Sequence, residues 1–385
     1  MPFVPVPTSS AADVVVIGAG VVGASCAFYA ARAGLRVTVL DRGPVAGGTT
    51  GAGEGNLLVS DKLPGPELDL ALRSARLWRE IADEVGGFEY EPKGGVVVAA
   101  SESALADLNE TSAGQRAAGV EAVPVSGTTL REYEPHLAPD LRGGVYYPED
   151  AQVQPMLAAA HLLADARAHG AQVFLGHEVS ALLRDGERVV GVVTAARRHP
   201  AAAVVNAAGT WGRAVAALAD VDLPVHPRRG FILVTEPLPR VVRHKVYAAE
   251  YVSNVASDDR HLQTSPVVEG TAAGPVLIGS SRERVGFDRT FSVPVLRTLA
   301  ARAIRLFPVL AGVAVIRAYR GFRPYCPDHL PIVGPDRRAP GLLHACGHEG
   351  AGVGLAPVTG HLLVQVLAGI RPDIDLGPFR PERFA

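Results

Sequence analysis

Residues 13–41 leave this chain few folds to choose from. Asp13-Val14-Val15-Val16-Ile17 is a short continuous apolar run, as expected of a strand buried on both faces of a parallel sheet. Gly18-Ala19-Gly20-Val21-Val22-Gly23 follows, then the small-residue-rich stretch ASCAFYAARAG, helical in character and stopped at Gly34. Arg36 to Leu40 reads as a second strand, and Asp41 ends it. Strand, glycine turn, helix, strand and acid make the βαβ unit of a dinucleotide fold. Gly18 permits the tight turn, Gly20 lets the backbone approach a pyrophosphate, and Gly23 lets helix and strand pack closely. The diphosphate then meets free N–H groups at a helix N-terminus. Asp41 stands where it can accept ribose hydroxyls, which favours FAD or NAD over NADP. The cofactor contacts expected from this unit are Gly18, Ala19, Gly20, Val22, Gly23, Asp41 and Arg42.

The rest of the chain is compatible with a large globular protein. Of 385 residues, 48% are hydrophobic and 20% charged, enough apolar material for a sizeable core and too little charge for a disordered scaffold. A formal net charge of −2 argues against a protein that neutralises nucleic-acid phosphates or coats an anionic membrane. Cys26, Cys326 and Cys346 form no CxxC spacing, so no disulfide framework, zinc site or iron–sulfur cluster is expected. With no secretory leader and no long uninterrupted apolar run, the expectation is a cytoplasmic protein without a membrane span. Lysine occurs only at 62, 93 and 245, which reads as compositional bias toward arginine.

Helices are expected near 67–85, 157–171 and 294–306, with a final apolar helix within 351–370. Asp185-Gly186 signals a hairpin, and 201–212 a buried strand running into a glycine turn. The fold class is mixed α/β: a Rossmann-like domain of discontinuous segments (1–85, 146–221 and 320–385) with an inserted β-rich substrate domain (86–145 and 222–319). The loop GGTTGAGEGN at 47–56, with Thr49, Thr50, Gly55 and Asn56, suits wrapping backbone around a phosphate and a flat ring, and reads equally as a surface loop.

Five motifs in order carry a resemblance: DVVVIGAGVVGAS, GTTGAGEGN, VVNAAGTW (204–211), GFRPYCPDHLPIVG (321–334) and GHEGAGVGLAPVTG (347–360). Together they resemble the D-amino-acid oxidase superfamily of FAD-dependent amine and amino-acid oxidoreductases, which includes glycine oxidase, sarcosine oxidase and D-hydroxyproline dehydrogenase subunits. The resemblance implies that Arg323 binds a substrate carboxylate, a role that suits the planar guanidinium fork. It implies that His348 lies near the flavin, and that Gly350, Gly352, Val353 and Gly354 lead into a helix whose amides face the flavin. Gly209 and Trp211 are expected to end a strand near the cofactor, and Val179 to contact the adenine through its backbone.

Departures from the family pattern bear on function. The position of a covalent flavin link falls near Gly321, so FAD is expected to be held noncovalently. Where relatives place a carboxylate-binding tyrosine, this chain reads RHLQTSP and offers His261 and Gln263. The oxygen-activating lysine of sarcosine oxidases has no counterpart near 274–281. Glu54 either lies near the substrate amine or, as the preferred reading, faces solvent.

The resemblance therefore implies hydride transfer from the C–N bond of a small D- or secondary amino acid to flavin N5, giving an imine. Candidate substrates are D-hydroxyproline, D-proline, sarcosine and glycine, with Arg323, His348 and His261 as catalytic residues. The absent lysine favours a dehydrogenase delivering electrons to partner subunits; a hydrogen-peroxide-forming oxidase, a non-catalytic FAD-binding assembly subunit and an NAD-dependent hydroxy-acid dehydrogenase remain alternatives.

Overall fold

A computed structural model describes residues 11–255 and 257–384. Strand β1 (Ala12–Ile17), helix α1 (Val21–Arg32) and strand β2 (Val37–Asp41) form the expected opening unit. β1 is central because both its faces are apolar: it runs parallel to β2 on one side and to Arg198–Asn206 on the other. The sheet continues through Gln172–Leu175 beyond β2, and through Leu342–Cys346 and Ile332–Pro335 beyond Arg198–Asn206. A hairpin, Val179–Asp185 with Arg188–Thr194, turns at Asp185-Gly186 and joins this sheet through Arg198–Asn206.

Small residues on α1 allow two helices, Pro155–Ala168 and Ala356–Leu367, to lie against it. Gly360 shows how close the second crossing is: a Cβ there would sit 2.6 Å from the Ser25 carbonyl oxygen. Gly23 is constrained likewise, since any side chain would run into the Gly18 carbonyl.

The second sheet has the order Val315–Tyr325, His226–Thr235, Val276–Arg282, Gln263–Gly270, Lys245–Ala248, Gly95–Ala99, Gly143–Tyr147, Val123–Ser126. Helix Val293–Leu306 seals its apolar face with Val295, Leu299 and Ala303. The Val315–Tyr325 strand lies wholly in this sheet, paired antiparallel with His226–Thr235 so that Arg323 stands opposite Arg228. Helix Pro66–Glu84 forms as the pattern at 67–85 indicates. Helix Glu102–Ala117 forms inside a stretch that reads only as short apolar runs; it buries just Leu108, Ser112 and Gln115.

No described helix is long and apolar enough to cross a membrane. Among the described residues, no cluster of His, Cys, Asp and Glu is arranged to hold a metal ion.

Candidate active site

A cavity of about 600 Å³ runs from the glycine turn after β1 to the Gly321–Pro324 end of the second sheet. Its first part is built by the opening unit. Asp41 lines it and also staples the turn, accepting from the Ala19 N–H through Oδ2 and the Gly43 N–H through Oδ1, both at 2.7 Å. The Thr50 hydroxyl accepts from Val21 N–H at 3.1 Å, and Gly20 and Val22 stand beside it in the cavity wall. Arg42 lies over the Trp211 ring at 4.5 Å, Trp211 stacks on Phe287 at 5.5 Å, and Phe287 meets Phe322 edge-on. Val179 and Gly209 complete this half.

The far half is joined to the first by hydroxyls. Thr49 and Thr210 both donate to the Phe322 carbonyl, at 2.7 and 2.8 Å, tying the second sheet to the first. Gly321, Phe322, Arg323 and Pro324 line this end, with Gly350, Gly352 and Val353 opposite. Trp78 and Ser74, from helix Pro66–Glu84, donate to the Val353 and Gly354 carbonyls and hold that loop.

The Arg323 guanidinium donates to the Ser281 carbonyl at 2.9 Å. Among the described residues no carboxylate pairs with it, which leaves a charged fork in the wall with most of its donors free. Near enough to feel its charge is Arg282, 3% exposed, with its guanidinium 4.9 Å from the Tyr251 ring centroid and with Nε and Nη1 lacking hydrogen-bond partners among the described residues. Glu349 balances part of this charge. Burial opposes its ionisation, but the His329 hydrogen bond and the Arg228 and Arg282 charges outweigh burial and hold its carboxyl below the usual range.

Residues 13–366 match the model of the family described as FAD dependent oxidoreductase. The chain belongs to that family. It is 30% identical to hydrogen cyanide synthase subunit HcnC of Pseudomonas protegens, over 97% of this chain and 96% of that one. The crystal structure of glycine oxidase from Geobacillus kaustophilus superposes with a TM-score of 0.88 at 27% identity, covering 97% of this chain and 99% of that one. Iminodiacetate oxidase from Chelativorans sp. BNC1 gives 0.83 at 26% identity, covering 96% and 98%.

The residues of this FAD-dependent oxidoreductase fit the group. A side chain at Gly18 would strike the Ala207 carbonyl, so the turn stays bare. The cavity passes the start of α1, where no side chain of Gly20 caps the helix. FAD-contact positions Gly23, Gly55 and Gly354 do not line the cavity: Gly23 and Gly55 are packing glycines, the latter pressed on the Val153 carbonyl, and Gly354 is turned to Trp78. Ala19 acts through its N–H on Asp41. None of Cys26, Cys326 and Cys346 lines the cavity; all three are buried.

Three expectations about the oxidoreductase are corrected. His261 is 91% exposed and paired with Asp259, because the strand begins only at Gln263 and leaves it outside. Gln263 is drawn off to Arg228 and Ser257. Glu54 does not face solvent: its side chain is 6% exposed, in the cavity wall, with Lys245 3.3 Å away. His348 reaches the wall, and burial depresses its pKa to about 4, so the imidazole is neutral at pH 7. Thr359 donates to the Leu355 carbonyl and so accepts from His348, which puts the proton on Nε2.

Two residues escaped the sequence reading. Tyr251 enters the cavity wall from helix Glu250–Val255 rather than from the strand where relatives place a tyrosine. Lys245 sits between Glu54 and Glu269, with Glu269 at 2.5 Å. The scarcity of lysine was the signal for it: all three lysine side chains are buried and ion-paired.

Proposed function

We propose that the protein oxidises the C–N bond of a small amino acid whose carboxylate is clamped by Arg323. The free guanidinium fork in the cavity wall carries this reading. The Arg282 guanidinium, buried outside the cavity wall and facing the Glu349 and Arg323 charges, adds positive charge near this end. The names of relatives support an amine or amino-acid substrate, glycine for one and iminodiacetate for another. Bound FAD supplies the acceptor for two electrons and a hydrogen.

The protein's own part is positioning. A bidentate hold on the carboxylate fixes the α-carbon against the cofactor side of the cavity, where orientation accounts for much of the rate. Loss of the α-hydrogen with its electron pair, and of one proton from nitrogen, leaves an imine. Water converts this to a keto acid and releases the nitrogen as ammonia or an amine, unless the substrate is proline-like and the imine stays in its ring. Neutral His348 donates to Thr359 and serves the wall, not proton traffic.

D-Proline, D-hydroxyproline, sarcosine and glycine are the substrates of choice. The first sheet and its helices form the FAD-binding unit and the second sheet the substrate unit. FAD is held noncovalently, consistent with cysteines that stay off the cavity. Electrons pass to a partner subunit, a reading supported by the likeness to a protein named as a synthase subunit. The likeness to glycine oxidase supports direct reoxidation by oxygen as the second reading.

Anaerobic addition of each amino acid to the yellow protein tests the proposal. Bleaching of the flavin band by one of them is expected, and slow recovery on admitting oxygen marks the dehydrogenase. A flavin that none of the four bleaches would count against this substrate class.

A further inference from the structure

The amine end of the substrate has no assigned partner, and Glu54 has an unused oxygen. Asn56 Nδ2 and Lys245 Nζ both approach Oε2, at 2.9 and 3.3 Å. Oε1 is buried with no hydrogen-bond partner among the described residues. A buried carboxylate oxygen without a donor is costly; Asp61, Glu134, Glu269 and Glu382 also carry one, but among these acids only Glu54 stands in the wall of this cavity, where another molecule can complete the bonding. Glu54 belongs to the cavity wall, so the cavity is where that donor arrives.

Charge points the same way. Burial opposes the charge on Lys245, but Glu269 and Glu54 beside it more than offset burial and hold its pKa above the usual lysine value. One ammonium thus serves two carboxylates, Glu54 and Glu269. The nearby Lys93 is occupied by Glu91 and the Gly270 carbonyl. The cluster carries one excess negative charge, while Arg323 carries an unpaired positive one.

Their spacing is short. Glu54 Oε1 packs against Gly279, where a Cβ would overlap it, and Arg323 is bonded to the carbonyl of Ser281 on the same strand. The backbone positions that carry the two contacts are at most about 7 Å apart, so both anchors are held on one short stretch of one strand. A negative and a positive group in the wall of one cavity, anchored on one strand, suit a molecule whose carboxylate and amine are borne by one carbon.

We propose that Glu54, which shares the single Lys245 ammonium with Glu269, receives the substrate N–H, so that with Arg323 it selects α-amino acids over carboxylic and hydroxy acids. This deepens the reading of Arg323 as the carboxylate clamp and rests on it. Glu54 is a binding residue here; no covalent step is assigned to it.

The test uses two ligands that cannot be oxidised in the same way as substrate and that differ at one atom. Pyrrole-2-carboxylate presents a ring N–H; 2-furoate presents a ring oxygen. Binding is read from the shift of the flavin spectrum in the FAD-loaded protein. Wild type is expected to bind pyrrole-2-carboxylate at least tenfold tighter than 2-furoate, and Glu54→Gln is expected to erase that preference while keeping 2-furoate binding. Equal affinities in wild type, or a preference that survives Glu54→Gln, would overturn the proposal. Because the wild-type comparison needs no variant, it decides the matter even if Glu54→Gln does not fold. Arg323→Ala is expected to weaken both ligands; if it weakens neither, the clamp itself is wrong, whatever the N–H preference.

Discussion

The indole N–H of Trp78 donates to the carbonyl of Val353 at 3.0 Å, joining two residues that lie 275 apart in sequence. Trp78 is fully buried in helix Pro66–Glu84, and Val353 lines the cavity. A core side chain therefore sets the path of a cavity loop. Trp78→Phe keeps an aromatic filler and deletes the donor. We expect a loss of about 1–2 kcal/mol in stability and weaker FAD retention, read by thermal melting and by flavin content after dialysis.

Asp41 spends both carboxylate oxygens on backbone N–H groups of its own turn and the next. Asp41→Ala frees Ala19 and Gly43 and slackens the glycine turn. Charge-assisted hydrogen bonds of this kind are worth about 1.5–3 kcal/mol each, so a rise in the FAD Kd of about ten- to a hundredfold is expected on titrating the apoprotein.

Arg323→Ala removes the fork without touching the opening unit. FAD content is expected to stay at the wild-type level, while kcat/KM falls by about a hundred- to a thousandfold, in line with loss of a charged bidentate contact. A variant that keeps wild-type kcat/KM with the best amino-acid substrate would remove the clamp from the mechanism.

His348 gives a pH prediction with a definite sign. Its folded pKa, about 4, lies below the ordinary 6.5, so the unfolded chain binds the extra proton first as pH falls. The neutral fold is favoured above about pH 6.5, and that advantage drains away between there and about pH 4, by roughly 3 kcal/mol. Urea midpoints measured across this window should fall more steeply for wild type than for His348→Gln. Parallel curves would show that the buried imidazole does not govern acid stability.

All flavin should leave the protein on acid precipitation, since no cysteine reaches the cavity. Colour that stays in the pellet would show a covalent link.

The parts of the molecule legible in its sequence are those whose signals are local. Gly18 and Gly23 are legible as glycines because a side chain at either would strike a backbone carbonyl, of Ala207 and of Gly18. Helix Glu102–Ala117 is not legible, because with three buried positions its apolar spacing is faint. His261 fails for a local reason too: the strand starts at Gln263, three residues later than the RHLQTSP pattern suggests. Glu54, Lys245 and Glu269 fail for a different one. Lys245 is 191 residues from Glu54, and nothing near either residue announces the other. Arg323 is named by its motif, but that it lacks an acidic partner is a property of the folded surroundings alone.

The two threonine bonds to the Phe322 carbonyl also govern when the protein can acquire its colour. The cavity takes its walls from residues as far apart as Ile17 and Val353. A chain growing from its N-terminus completes the glycine turn early, yet the opposite wall is not made until some three hundred residues later. Any fragment ending short of Phe322 carries the fingerprint but lacks the walls that residues 322–324 and 348–353 supply. Colour should therefore report completed synthesis and assembly, and truncated or nicked chains should stay colourless even where their first sheet has formed.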